Sequence, residues 1–115
     1  KELKAANLAE NIAIDCSHGN SMKDHRLQAL VLENCVSQIL EGNTSIIGIM
    51  LESNLREGNQ KVPKDLSQLI HGVSVTDACI DWETTEKILT QMATKLAPIL
   101  EQRLQQRTHR LTANT

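Results

Sequence analysis

Apolar positions divide the chain into short strand-like runs and longer stretches with a helical period. Residues 11–16 (NIAIDC) are a short apolar run rich in β-branched isoleucine, and residues 45–51 (SIIGIML) are a continuous one. Runs of this length are typical of buried strands, and continuous apolarity favours a parallel sheet covered on both faces. We therefore predict two parallel strands, preceded by the end of a helix in residues 1–9, which are rich in helix formers.

Residues 22–41, between the two predicted strands, change to a helical pattern. Gly42 follows directly, and glycine commonly ends a helix. A strand, a helix and a second strand within residues 11–51 match the size of a βαβ unit, which needs roughly 30 residues or more. The apolar stripe of this helix is predicted to comprise Leu27, Val31, Cys35 and Ile39.

A second helix is predicted after a long polar connection, residues 52–71, and a short extended segment, residues 73–80. Asp81, Thr84 and Thr85 offer N-cap oxygens for the start of this helix. Pro98 is expected to kink the helix or to end its regular part, and the polar tail, residues 105–115, is expected to fray. The apolar stripe is predicted to comprise Ile88, Met92, Leu96, Leu100 and Leu104. The order of the elements predicts an α/β fold.

Composition and charge argue against several classes of protein. The net charge of the 115 residues is −2, which argues against a nucleic-acid partner, and no apolar run is long enough to span a membrane. The three cysteines lack C-x-x-C spacing, so a disulfide framework is not expected. Free thiols favour a reducing compartment, and we predict a cytoplasmic location.

Two residues with possible chemistry lie directly after the predicted strands. His18 follows the first strand, and Glu52 follows the second. The carboxyl ends of successive parallel strands meet at one edge, where active groups lie in βα folds. Asp77 could reach the same edge from the following loop. One histidine and two carboxylates would suit a divalent ion such as Mn, Fe, Co or Zn.

Position alone leaves other roles open for these residues. His18 could be a hydrogen-bonding turn residue, Glu52 an exposed loop carboxylate, and Asp77 a turn cap. The same pattern would also fit a non-catalytic α/β interaction module that assembles with another chain, or a small metal-binding protein.

Three longer motifs are more specific than this spacing. They are residues 14–21 (IDCSHGNS), residues 46–60 (IIGIMLESNLREGNQ) and residues 72–86 (GVSVTDACIDWETTE). In this order they resemble the C-terminal third of class I 3-deoxy-D-arabino-heptulosonate 7-phosphate (DAHP) synthase, over residues 11–96. The family usually has glycine where this chain has Asp81, and we expect a local effect at the start of the last helix.

The resemblance implies a (β/α)₈ TIM barrel, of which this chain would supply the C-terminal βαβα portion with the seventh and eighth strands. Residues 1–115 would then be part of a single catalytic domain. The family holds a divalent metal with Cys, His, Glu and Asp, and the motifs assign His18, Glu52 and Asp77 to three of these ligands. By the same resemblance, the cysteine ligand of an early barrel loop and the phosphate-binding Arg and Lys residues are expected to lie outside this chain.

The implied reaction is the aldol-like condensation of phosphoenolpyruvate with erythrose 4-phosphate, the first step of the shikimate pathway. His18 and Asp77 are expected to contact the substrates in addition to binding the metal. A complete barrel takes about 250 residues, so the isolated chain is predicted to be inactive. Its exposed strand edges predict assembly with another chain, as a homo-oligomer.

Overall fold

The structure is a computed structural model that describes residues 1–113, with the backbone alone described for residues 107, 108 and 110–113. Two parallel strands and three α-helices confirm the predicted α/β class. Two short 3₁₀ turns, His25–Leu27 and Leu66–Gln68, lie in the connections. In chain order the main elements are α1 (Glu2–Ala5), β1 (Ile12–Asp15), α2 (Gln28–Leu40), β2 (Ile46–Met50) and α3 (Trp82–Ala113).

The predicted βαβ unit is confirmed. Strands β1 and β2 pair in parallel, with Ala13 opposite Gly48 and Asp15 opposite Met50. The two strands therefore end side by side, and the loops that follow them start at the same edge of the sheet.

Helix α2 begins at Gln28, six residues later than predicted. The backbone of Met22 and Lys23 has φ angles of 53° and 60°, a left-handed conformation that cannot continue a helix. The late start changes the buried face: Leu27 and Val31 are only half-buried, and the predicted stripe was wrong at these two positions. The buried residues of α2 are Gln28, Leu32, Cys35, Val36 and Ile39.

The core lies where α2 packs on the sheet and α3 packs on α2. Its buried side chains come from three elements: Cys35, Val36 and Ile39 of α2, Ile46 of β2 and Leu96 of α3. Burial of aliphatic side chains of this kind is the main force that holds the elements together. The core thereby fixes the position of both strand ends.

Helix α3 starts where the sequence predicted. The Asp81 side chain accepts a hydrogen bond from the Thr84 backbone N–H at 2.8 Å, as an N-cap does. The helix does not end at Pro98 but continues through Ala113. The later part of the predicted stripe is largely exposed, since Leu100 is 50% and Leu104 66% exposed.

In the far half of α3, the Arg103 guanidinium donates a hydrogen bond to the Asn43 carbonyl at 2.6 Å. Residues 114 and 115 lie outside the described residues, so fraying of the tail stays a prediction. Within the described residues, no helix combines the length and apolarity needed to cross a bilayer.

The described residues leave one face of the sheet uncovered, as expected of two parallel strands that cannot close a barrel by themselves. Ile47 is 66% exposed, and Ile12 and Met50 are also exposed. The long helices of this chain pack on each other and on one side of the two strands, which leaves apolar surface on the sheet.

Residues 52–81 form an irregular connection that returns to the end of β2. The predicted extended segment, residues 73–80, pairs only through isolated bridges and forms no regular strand. These bridges join Ser53 to Ile80, Gly58 to Cys79 and Asn59 to Ser74. They bring the last part of the connection back beside Glu52.

Candidate metal centre

A tightly hydrogen-bonded turn after β1 positions His18. The Asp15 carboxylate accepts from the Ser17 backbone N–H at 2.9 Å, and the Asp15 carbonyl accepts from the Asn20 side chain at 2.7 Å. The Lys23 backbone N–H closes the turn by donating to the His18 carbonyl at 2.7 Å. Because these bonds fix the backbone on both sides, the imidazole projects from a rigid turn.

Asp15 also fixes the orientation of the His18 ring. Nδ1 of His18 lies 2.7 Å from Oδ2 of Asp15 and 3.0 Å from the Ser17 hydroxyl. The hydrogen bond between His18 and Asp15 raises the pKa of His18 and lowers the pKa of Asp15. The opposite nitrogen, Nε2, is thereby directed away from Asp15.

The structure brings all three residues singled out in the sequence to one point. Nε2 of His18 lies 3.4 Å from Oε1 of Glu52 and 3.3 Å from Oδ2 of Asp77. One donor atom from each residue lies within 4.8 Å of the others. They come from three separate segments: the turn after β1, the end of β2 and the returning connection.

The centre concentrates negative charge around one imidazole. The carboxylates of Asp15, Glu52 and Asp77 all approach His18, and two carboxylates this close repel each other unless a positive charge lies between them. The Glu52 side chain is 24% exposed, which limits screening by water, whereas that of Asp77 is 67% exposed. The cluster offers the donor atoms and the negative charge that a bound cation would need.

The donor geometry fits a divalent metal. Ligands that each lie about 2.1 Å from one ion are roughly 3.0–3.4 Å apart at ordinary coordination angles, close to the two distances from Nε2. Histidines that bind metals usually donate their other N–H to a carboxylate, as His18 can donate to Asp15. One nitrogen and two oxygens form a donor set for a transition ion.

A cleft of about 220 Å³ opens above the three donors. His25, at its wall, has a partner that the sequence did not reveal: its Nε2 lies 2.8 Å from the Glu57 carboxylate. The cleft also presents one lysine, Lys23. The full lining is Ser17, His18, Ser21, Lys23, His25, Glu52, Asn59, Asp77 and Ala78.

The three cysteines are free and none belongs to the donor cluster. Cys16 and Cys35 are buried, and burial raises the pKa of Cys16 to about 11. Cys79 is half-buried, and its thiol lies 3.6 Å from the Asp77 carbonyl. A thiol with a raised pKa is a poor metal ligand, because the thiolate is the binding form.

Sequence reasoning missed Asp15 and Gln28, which hold the site from behind. The role of Asp15 could have been predicted from the sequence, because its carboxylate lies three residues before a histidine at the end of a strand. Gln28 is fully buried and bonds to the backbone of Glu52. Its only sequence signal is a polar residue beside an apolar helix stripe.

Comparisons with known proteins agree with one another. Residues 1–90 match the sequence profile described as the DAHP synthetase I family. A Tyr-sensitive phospho-2-dehydro-3-deoxyheptonate aldolase of Enterobacter agglomerans is 51% identical over 106 residues, covering 92% of this chain and 50% of that protein. The Tyr-sensitive enzyme of Escherichia coli K12 is 52% identical over 92 residues, covering 80% of this chain and 26% of that protein.

A solved structure is also similar. Phospho-2-dehydro-3-deoxyheptonate aldolase of Francisella tularensis superposes with a TM-score of 0.76 at 45% identity, over 84% of this chain and 27% of that one. The chain thus spans about a quarter to a half of the length of these relatives.

Proposed function

The chain belongs to the DAHP synthetase I family, and from this premise we propose that it carries part of the metal-dependent active site of a DAHP synthase. The observation that supports this most directly is the convergence of His18, Glu52 and Asp77, whose donor atoms lie within 4.8 Å of one another. The three residues lie within the residues that match the family.

The chain would form the C-terminal part of a single (β/α)₈ barrel domain, with β1 as the seventh strand and β2 as the eighth. Parallel pairing of the two strands across α2 supports this placement. The exposed apolar side chains on the sheet, such as Ile47, would pack inside or beside the remainder of the barrel.

His18, Glu52 and Asp77 would hold a divalent ion, Mn, Fe, Co or Zn, together with a cysteine from another part of the barrel. When bound, such an ion acts as a Lewis acid on a carbonyl oxygen. Asp15 would keep Nε2 of His18 directed at the ion through the 2.7 Å contact with Nδ1. The half-buried Glu52 would supply a fixed charge.

The proposed substrates are phosphoenolpyruvate and erythrose 4-phosphate, condensed in the first step of the shikimate pathway. His18 and Asp77 are the ligands most open to the cleft, with side chains 46% and 67% exposed. We assign to them the additional task of contacting substrate. The isolated chain should show no synthase activity, since it supplies two strands of the eight; turnover by the chain alone would contradict this placement.

A cytoplasmic location accompanies this proposal, supported by the three free cysteines. Assembly as a homo-oligomer, without a nucleic-acid or membrane partner, stays a prediction from the sequence.

Metal titration of the full-length protein tests the ligand assignment. His18→Ala, Glu52→Ala and Asp77→Ala should each weaken Mn²⁺ binding at least tenfold, because each removes one donor from a cluster of few ligands. Isothermal titration calorimetry, or electron paramagnetic resonance of free Mn²⁺, would measure the dissociation constant of each variant.

His71→Ala and Glu101→Ala serve as matched controls, because both side chains are exposed and neither lines the cleft. They should bind Mn²⁺ as the unaltered protein does. Unchanged affinity in all three site variants would reject the metal centre and favour a non-catalytic interaction module.

A further inference from the structure

Gln28 is the most completely buried polar side chain outside the donor cluster. Its exposed fraction is 0%, although it stands at the first position of α2, where exposure would be ordinary. Burying a side-chain amide is costly unless both its oxygen and its nitrogen find partners. The partners of Gln28 therefore indicate what the residue does.

Both polar ends of Gln28 bond to the same residue. Nε2 donates to the Glu52 carbonyl at 3.1 Å, and Oε1 accepts from the Glu52 backbone N–H at 2.8 Å. The side-chain amide thus pairs with Glu52 as a neighbouring strand would, just beyond the last residue of β2. The Ile80 backbone N–H completes the frame by donating to the same carbonyl at 3.0 Å.

This frame controls where the Glu52 carboxylate can lie. Residue 52 follows the regular part of β2, so strand pairing with β1 no longer fixes its backbone. Two hydrogen bonds from one rigid, buried amide replace that pairing, and Oε1 of Glu52 then lies 3.4 Å from Nε2 of His18. A shift of the backbone would carry the carboxylate away from the other donors.

We propose that Gln28 is a positioning residue for the candidate metal centre: it holds the Glu52 backbone so that its carboxylate meets His18 and Asp77. The inference rests on the proposed function, since it concerns the affinity of the same site. Partners that orient metal ligands typically change metal affinity by about 10- to 100-fold when they are removed.

The test replaces Gln28 with methionine, which has a similar shape but cannot form either hydrogen bond. In the full-length protein, Gln28→Met should raise the dissociation constant for Mn²⁺ by about 10- to 100-fold. Gln38→Met is the matched control, because Gln38 is exposed on the same helix and its side chain bonds to Asn34 and Asn43, away from Glu52. It should leave the affinity unchanged.

A double variant separates positioning from a general effect on folding. If Gln28 acts through Glu52, then Gln28→Met should weaken Mn²⁺ binding no further in a Glu52→Ala background. Additive losses would overturn the inference and indicate a structural role. Leu96→Ala, which destabilises the core away from the site, should lower the unfolding midpoint but leave Mn²⁺ affinity intact.

The two proposals fail in different ways. No Mn²⁺ binding by the unaltered protein, or unchanged binding in all three of His18→Ala, Glu52→Ala and Asp77→Ala, would reject the metal centre itself. Normal binding by Gln28→Met, alongside a clear loss in Glu52→Ala, would reject only the role of Gln28.

Discussion

In the returning connection, the backbone conformation constrains single residues as much as side-chain contacts do. Gly72 shows this within the returning connection. Its φ of 81° is a conformation that side chains with a Cβ rarely adopt, and its carbonyl accepts from the Arg56 N–H at 2.8 Å. A Cβ on Gly72 would also lie 2.8 Å from the Leu55 Cβ, which cannot rotate away.

We therefore expect Gly72→Ala to lower the free energy of unfolding by about 1–3 kcal/mol, because it adds backbone strain and a clash. Chemical denaturation followed by circular dichroism would measure the change. Gly19→Ala is the control, since a Cβ on Gly19 meets nothing within 4 Å, and it should change stability by less than about 0.5 kcal/mol. Equal effects at the two glycines would contradict the strain argument.

At the scale of elements, the start of α3 depends on Asp81. Asp81 caps the helix, and the Thr85 backbone N–H bonds to the Asp81 carbonyl at 3.0 Å. The Thr85 hydroxyl, in turn, lies 2.6 Å from the Ser53 hydroxyl, beside Glu52. The helix start is thus connected to the strand end that carries a proposed ligand.

Hydrogen bonds from Thr84, through its side chain and its backbone N–H, lower the pKa of Asp81 from 3.8. The stabilisation that ionised Asp81 provides should therefore be complete above pH 3.8 and be lost as the pH falls through the lowered pKa. At neutral pH, Asp81→Ala should lower the thermal midpoint, and Asp81→Asn should lower it less, because asparagine also caps.

Thermal unfolding followed by helical circular dichroism, from neutral pH to about pH 2, would measure this dependence. The difference in thermal midpoint between the unaltered chain and Asp81→Asn should become smaller as the pH falls towards about 2. A difference that stays constant over that range would exclude the ionised cap.

At the scale of the whole molecule, the described chain has more apolar surface than its own elements cover. Ile12, Ile47 and Met50 are exposed on the strands, and the core is confined to the junction of α2, α3 and β2. Two strands leave pairing groups free at their edges, which are ready sites for association. The same surface is what a barrel would bury.

We expect the isolated chain, of 12.8 kDa, to self-associate through this sheet surface and to elute as a dimer or larger species. Light scattering after size-exclusion chromatography would give the mass. Ile47→Lys should shift the population towards the monomer, whereas Leu30→Lys, at a 60% exposed position on α2, should not. A stable monomer of the unaltered chain would contradict the prediction.

Local sequence determined most of the elements. The β-branched runs gave both strands, Gly42 ended α2, and Asp81 started α3, because strand propensity, helix ends and caps depend on residues close along the chain. Local patterns failed where backbone geometry intervened: the left-handed Met22 and Lys23 delayed α2 and moved its buried face.

For the candidate site, the sequence determined which residues stand at the strand ends and, through its motifs, which family they belong to. Only the tertiary structure decided that Asp77, 59 residues from His18, reaches the same imidazole and that Gln28 holds Glu52. These contacts depend on how α2 and the returning connection pack against the strands. Such packing is set by the whole core, and no short segment of sequence contains it.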